Sequence, residues 1–159
     1  MAISTDILES YRRPRAVIRR KLDAGPREDR ALATLIAACA LNFISQWPGL
    51  ARAAYFDPSR PLDARIGGAL LGTVFLLPLV AYAIAGLSHL AAKALGGQGS
   101  AYGARLALFW SLLAITPLLL LNGLVAGFIG AGPARISVAV AVFAAFVYLW
   151  INALIEVER

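Results

Sequence analysis

His89 is the only histidine in the chain; it follows Ser88 and lies four residues before Lys93, on the same face of a helix. An imidazole so placed could relay a proton or hold a metal ion, but either task needs a carboxylate or a second histidine beside it. The apolar segments offer neither. A hydrogen-bonding role near a membrane interface is therefore the expectation for His89. Cys39, the only cysteine, has no partner for an intramolecular disulfide and reads as a small packing residue. Asn42, Gln46, Asn122 and Asn152 can bond from one helix to another, each such bond contributing about 0.6–2 kcal/mol. Nothing resembles a nucleophile–base pair, a phosphate loop or a substrate clamp. No catalytic, cofactor-binding or metal-binding residue is assigned, no cofactor is implied, and the chain argues against an enzyme.

The elements that must position these residues are apolar. Four runs, roughly Ala31–Trp47, Ile66–Ser88, Leu106–Ile129 and Ile136–Ile155, contain no Asp, Glu, Lys or Arg. A hydrocarbon core about 30 Å thick needs about 20 mostly apolar helical residues, and a charge at its centre costs at least ~2.5–3.5 kcal/mol on insertion scales. The 159 residues are 60% hydrophobic and only 15% charged, with a mean hydropathy of +0.72. A soluble bundle would need polar outer faces, which these helices lack. The fold class expected is all-α: a polytopic membrane helical bundle of four transmembrane helices with an amphipathic basic N-terminal interfacial helix. Residues 1–25 form the cytoplasmic basic segment and 26–159 the transmembrane domain, with spans at about 26–47, 64–95, 104–129 and 134–155.

Charge is uneven. Eight cations and five anions fall within residues 1–30, and between Tyr11 and Leu22 stand Arg12, Arg13, Arg15, Arg19, Arg20 and Lys21 with no anion among them. Ile3, Ile7, Tyr11, Pro14, Ile18 and Leu22 recur at helical spacing, widened by Leu8 and Val17. That stripe predicts a helix in the interface plane, its apolar side in the acyl boundary and its six cations binding the membrane surface among anionic lipids. An ordinary positive-inside topology signal explains the same charges. Pro14 should interrupt the helix. No nucleic-acid-binding fold is present to use the basic patch, so nucleic acid is not an expected partner.

Along the rest of the chain, Gly25-Pro26 precedes the first membrane helix, which is expected to stop at Pro48-Gly49, with Leu50 to Phe56 lying along the interface. Pro78 should kink the second helix, and the loop from Gly96 to Gly103 should hold a shape only if something packs on it. A short turn through Gly130 to Pro133 makes the last two spans antiparallel neighbours. With both ends inside, eleven cations lie in the cytoplasm and four outside, which favours a cytoplasmic N-terminus. The competing topology breaks the third run at Pro117 into a re-entrant hairpin. Gly68 and Gly72, and again Gly123 and Gly127, form G-x-x-x-G pairs suited to close helix packing, within the chain or in a homo-oligomer.

From Ser88 the pattern SHLAAKALGGQGSAYGARLALFWSLLAITPLLLL resembles the core of the Yip domain family, multi-spanning membrane proteins named for binding Ypt/Rab GTPases. In bacterial members a glycine-rich cytoplasmic loop precedes a span with a serine and then a proline; here these match Gly96, Gly97, Gly99 and Ser100, then Ser111 and Pro117. The likeness covers roughly residues 30–156. Most members have five spans, whereas this chain stops where a fifth would begin, and the acidic-aromatic Asp-Leu-Tyr-Gly-Pro element of eukaryotic members is missing. GTPase binding is therefore not implied. The bias to arginine and alanine fits a GC-rich bacterium and hence a cell inner membrane. The resemblance implies a non-enzymatic integral membrane protein, a scaffold or accessory subunit of an inner-membrane complex. Its interaction loop would hold His89, Gly96, Gly97, Gly99, Tyr102 and Arg105, and its partners would be the anionic bilayer and other integral membrane proteins. The alternative is a small transporter or channel-forming oligomer with Asn42, Gln46, Asn122 and Asn152 lining a path.

Overall fold

Apolar runs of this length leave the backbone no partner but itself, so they must be helical. The computed structural model describes residues 2–159, and among them every regular element is a helix. These are α1 (Ile3–Arg12), α2 (Pro14–Asp23), α3 (Glu28–Phe56), α4 (Leu62–Leu70), a π-helical stretch (Leu71–Leu76), α5 (Leu77–Ala94), α6 (Ala101–Ala114), α7 (Thr116–Phe128) and α8 (Pro133–Val157). Three helices are long and apolar enough to cross a membrane: Glu28–Phe56, Leu62–Ala94 and Pro133–Val157. The bent pair α6–α7 makes a fourth if counted as one crossing, with 42° between its halves.

Prolines explain the irregularities. Pro117 has no N–H to give to the Leu113 carbonyl, and its ring crowds that turn. The helix breaks at Ile115, and the Thr116 hydroxyl donates to the Leu113 carbonyl instead, at 2.7 Å. Ahead of Pro78 the second long helix widens, and the Leu77 N–H reaches back five residues to the Gly72 carbonyl. Pro48 behaves otherwise. Rather than stopping at Pro48-Gly49, α3 continues without a break to Phe56, so Leu50 to Phe56 is helix rather than a separate interfacial stretch. In lipid a broken helix exposes carbonyls with nothing to bond, which favours continuation through proline.

The core is centred on α6, ten of whose residues are buried. Phe109 and Leu108 pack with Leu35 and Cys39 of α3 and with Ala81 and Ala85 of α5. On the other side Ala107, Trp110 and Leu113 meet Ala153 and Val157 of α8 and Val17 and Ile18 of α2. α3 runs beside α6 and then α7 in step: Arg105 pairs with Glu28, Phe109 packs near Leu35, Gly123 abuts Ser45, and Gly127 abuts Pro48. The two halves therefore advance in the same direction. Both termini, the α5–α6 loop and the start of α3 gather at one end of the bundle, here the termini end.

Candidate interaction surface at the termini end

The basic N-terminal segment folds back on itself. Its two ten-residue helices meet at Arg13, and pairing across that break brings acids of α1 onto cations of α2. Asp6, 6% exposed, receives Arg20 at 2.7 Å and Lys21 at 3.1 Å. Arg20 also pairs with Glu9 at 2.9 Å, and the Lys21 ammonium lies 3.8 Å from the centre of the Trp110 ring.

The predicted stripe exists, but protein rather than acyl chain covers it. Val17 and Ile18 are fully buried against α6 and α8, Ile7 and Leu22 pack beside them, and Tyr11 packs against the cluster of Ala114, Ile115 and Leu149. Only Ile3 and Leu8, 62% and 69% exposed, remain open. Polar contacts pin the hairpin from the same side. The Trp110 indole N–H donates to Ser10 Oγ at 2.9 Å, and the Tyr11 hydroxyl donates to the Ala114 carbonyl, beside the α6–α7 break, at 2.6 Å.

The six cations assigned to the membrane surface therefore divide. Arg15 Nε donates to Asn152 Oδ1 at 3.0 Å, and Arg19 pairs with Glu156 at 2.6 Å. Arg20 and Lys21 hold Asp6. Arg12 and Arg13, at the hairpin tip, are exposed and have no ion pair among the described residues.

The glycine-rich loop is also held in place, by the carboxyl-terminal residues. The Gly99 N–H donates to Glu158 Oε2 at 3.0 Å, and the Gln98 N–H to the Glu158 backbone carbonyl at 3.0 Å. The other carboxylate oxygen lies 3.2 Å from His89 Nδ1, so His89 does have an acid partner, contributed from beyond the last apolar run. Gly97 and Gly99 fit so tightly over Glu158 that a Cβ on either would collide with its carboxylate, and one on Gly103 would strike Val157. Gly96 adopts φ +92°, a conformation that favours glycine. Arg105 pairs with Glu28 at the start of α3, and Tyr102 is partly buried against the core cluster of α3, α5 and α6.

The two G-x-x-x-G pairs have different surroundings. At Gly123 a Cβ would run into the Ser45 carbonyl oxygen, and at Gly127 into Pro48. At Gly68 and Gly72 a Cβ would meet nothing within 4 Å. Asn42, Gln46 and Asn122 line one cavity of about 460 Å³ at the end opposite the termini, with Arg52 and Arg135, and Asn122 Oδ1 is buried there without a partner. Asn152 is not with them; it lies at the termini end on Arg15. No cluster of His, Cys, Asp or Glu suited to a metal ion occurs among the described residues.

The pairing of Asp6 with Arg20 and Lys21 could be anticipated, since acid and cations stand at similar distances either side of the break at Arg13. Glu156 and Glu158 carried no comparable signal, because their partners lie 137 and 69 residues away in sequence.

Asp6 also makes the hairpin sensitive to acid. Burial pushes its carboxyl up, but the hydrogen bonds and charges of Lys21 and Arg20 outweigh this and hold it below its ordinary 3.8. A depressed carboxylate contributes stability that is present above its ordinary value and lost as pH falls through the lower folded one. Hydrogen exchange in α1 is therefore expected to quicken below about pH 3.8. Asp6→Asn should exchange on the order of tenfold faster at neutral pH, since Lys21 and Arg20 are partly exposed and the pair is partly screened. Equal acid sensitivity in wild type and Asp6→Asn would count against this assignment.

Long lipid-compatible helices around a buried α6 define a multi-pass integral membrane protein. Residues 8–158 match the Yip1 domain, and the chain belongs to the Yip1 domain family. No curated protein and no solved structure matches it.

Proposed function

We propose that this Yip1-family protein crosses a bacterial inner membrane four times, with both termini in the cytoplasm. There it acts without catalysis, as a scaffold or accessory subunit that docks other membrane proteins through its termini end. The in-step contacts of α6 and α7 with α3 support a single bent crossing and hence four spans. The excess of cations at the termini end supports the orientation.

One observation carries the docking role. Hairpin, glycine-rich loop and carboxyl terminus are braced together by Arg19–Glu156, His89–Glu158 and the Gly99 bond to Glu158, and the hairpin carries the exposed Arg12 and Arg13 at its tip, farther along the bundle. Arg19, Glu156, His89 and Glu158 are occupied with one another and hold the surface together. Native mass spectrometry of the protein extracted in mild detergent should return one stoichiometric membrane-protein partner, lost when Arg12 and Arg13 are both changed to Gln. The chain returning alone would overturn the proposal.

A transporter or channel is the second reading, favoured by the cavity at Asn42, Gln46 and Asn122 and its unbonded oxygen. Against it, Leu35, Leu108 and Phe109 fill the bundle on the side of the termini. Solute flux in proteoliposomes that falls with Asn122→Leu would establish this reading, and absence of flux would remove it.

A further inference from the structure

A groove of about 450 Å³ separates the N-terminal hairpin from the bundle. None of its lining residues belongs to α8, and Arg15 and Arg19 are not among them. Its chemistry changes along the bundle axis. Toward the termini it is edged by Arg30, Arg27 and Lys21; deeper, its walls are Ala33, Ala37 and Leu113. From Arg30 to Ala37 the helix rises roughly 10 Å, so charge gives way to apolar surface over the depth of a headgroup region.

The three cations are not equivalent. Lys21 is bonded to Asp6, and Arg27 makes two hydrogen bonds to Asp29, at 3.0 and 3.1 Å. Arg30 has no carboxylate or hydrogen-bond partner for its guanidinium among the described residues. Asp6 is the one anion in the lining, so the groove carries a surplus of positive charge. A basic pocket beside membrane helices suits an anionic headgroup.

We propose that this groove binds one anionic phospholipid, with Arg30 and Arg27 holding the headgroup phosphate and an acyl chain lying along Ala33, Ala37 and Leu113. Charge complementarity and the polar-to-apolar gradient both select an amphiphile standing upright, head toward the termini. The site requires no partner protein and is distinct from the outward Arg12 and Arg13. A bound lipid would bridge hairpin and α3, which face each other across the groove with Lys21 on one side and Arg30 on the other.

Native mass spectrometry of the delipidated full chain, titrated with phosphatidylglycerol or phosphatidylcholine, tests this. One phosphatidylglycerol should persist at collision energies that strip phosphatidylcholine, and Arg30→Gln should reduce its retention on the order of tenfold. Ala37→Trp, which fills the apolar arm without altering charge, should evict the lipid equally, and an unchanged melting temperature shows that each variant is folded. Changing Arg12 and Arg13 to Gln should leave retention intact, which also separates this test from the docking proposal. Equal retention of the two lipids, or loss with Arg12 and Arg13 as large as with Arg30, would overturn the site. Displacement by millimolar inorganic phosphate would assign the cations to a soluble anion and overturn it as well.

Discussion

Gly123→Val is expected to lower the melting temperature of the detergent-solubilised protein by roughly 6–12 °C, for about 3 kcal/mol of lost stability in a chain of this size. The reason is that the added Cβ would occupy the position of the Ser45 carbonyl oxygen, and backbone cannot swing aside as a flexible side chain does. α3 and α7 would have to separate, losing the contact in which Gly127 seats on Pro48 and Gly49 lies against Ala126. In a bilayer, where lipid tails are as apolar as leucine, such close packing is a main force holding helices together. Gly68→Val provides the contrast: nothing lies within 4 Å of its Cβ position, so the same substitution should leave the melting temperature almost unchanged. Equal shifts for the two variants would refute the packing described.

The second large effect is expected at Glu158. Glu158→Ala removes the acceptor of the Gly99 N–H and the partner of His89 together. It leaves the tight turn at Gly97 and Gly99 with empty space where the carboxylate stood. Amide exchange at Gln98 and Gly99 should rise 10–100-fold, the equivalent of about 1.4–2.8 kcal/mol. Because both bonds end on one carboxylate, His89→Ala added to Glu158→Ala should cost little more than Glu158→Ala alone. Unaltered exchange at Gly99 would show that the loop is held by something else.

Sequence patterns revealed faces more readily than neighbours. The stripe from Ile7 to Leu22 has helical period and does mark a buried face, yet periodicity specifies only that apolar groups share a side. Lipid and protein satisfy that pattern equally, so cover by α6 and α8 could not be read from it. The same limit explains the glycine motifs: identical spacing permits close approach at Gly68 and at Gly123, but only at the second does another helix press on the glycine itself. The break in the third apolar run was legible because Pro117 lacks a donor, whereas Pro48 reads the same way and is simply bridged. In this apolar setting, continuous helix outweighs local propensity. The glycine-rich loop was recognisable from its glycines, but their fit to Glu158 depends on a residue three helices further on, beyond α6, α7 and α8.

Contacts between the hairpin and α8 set an order of assembly. Arg15 and Arg19 emerge from the ribosome well before Asn152 and Glu156, which follow 137 positions later, after α3 to α7. Until then the hairpin lacks half of its anchoring, and the Ala114 carbonyl is capped only if Tyr11 reaches it unaided. α8 is thus the clasp for a segment made well before it, and a nascent chain arrested ahead of α8 would carry the hairpin loose.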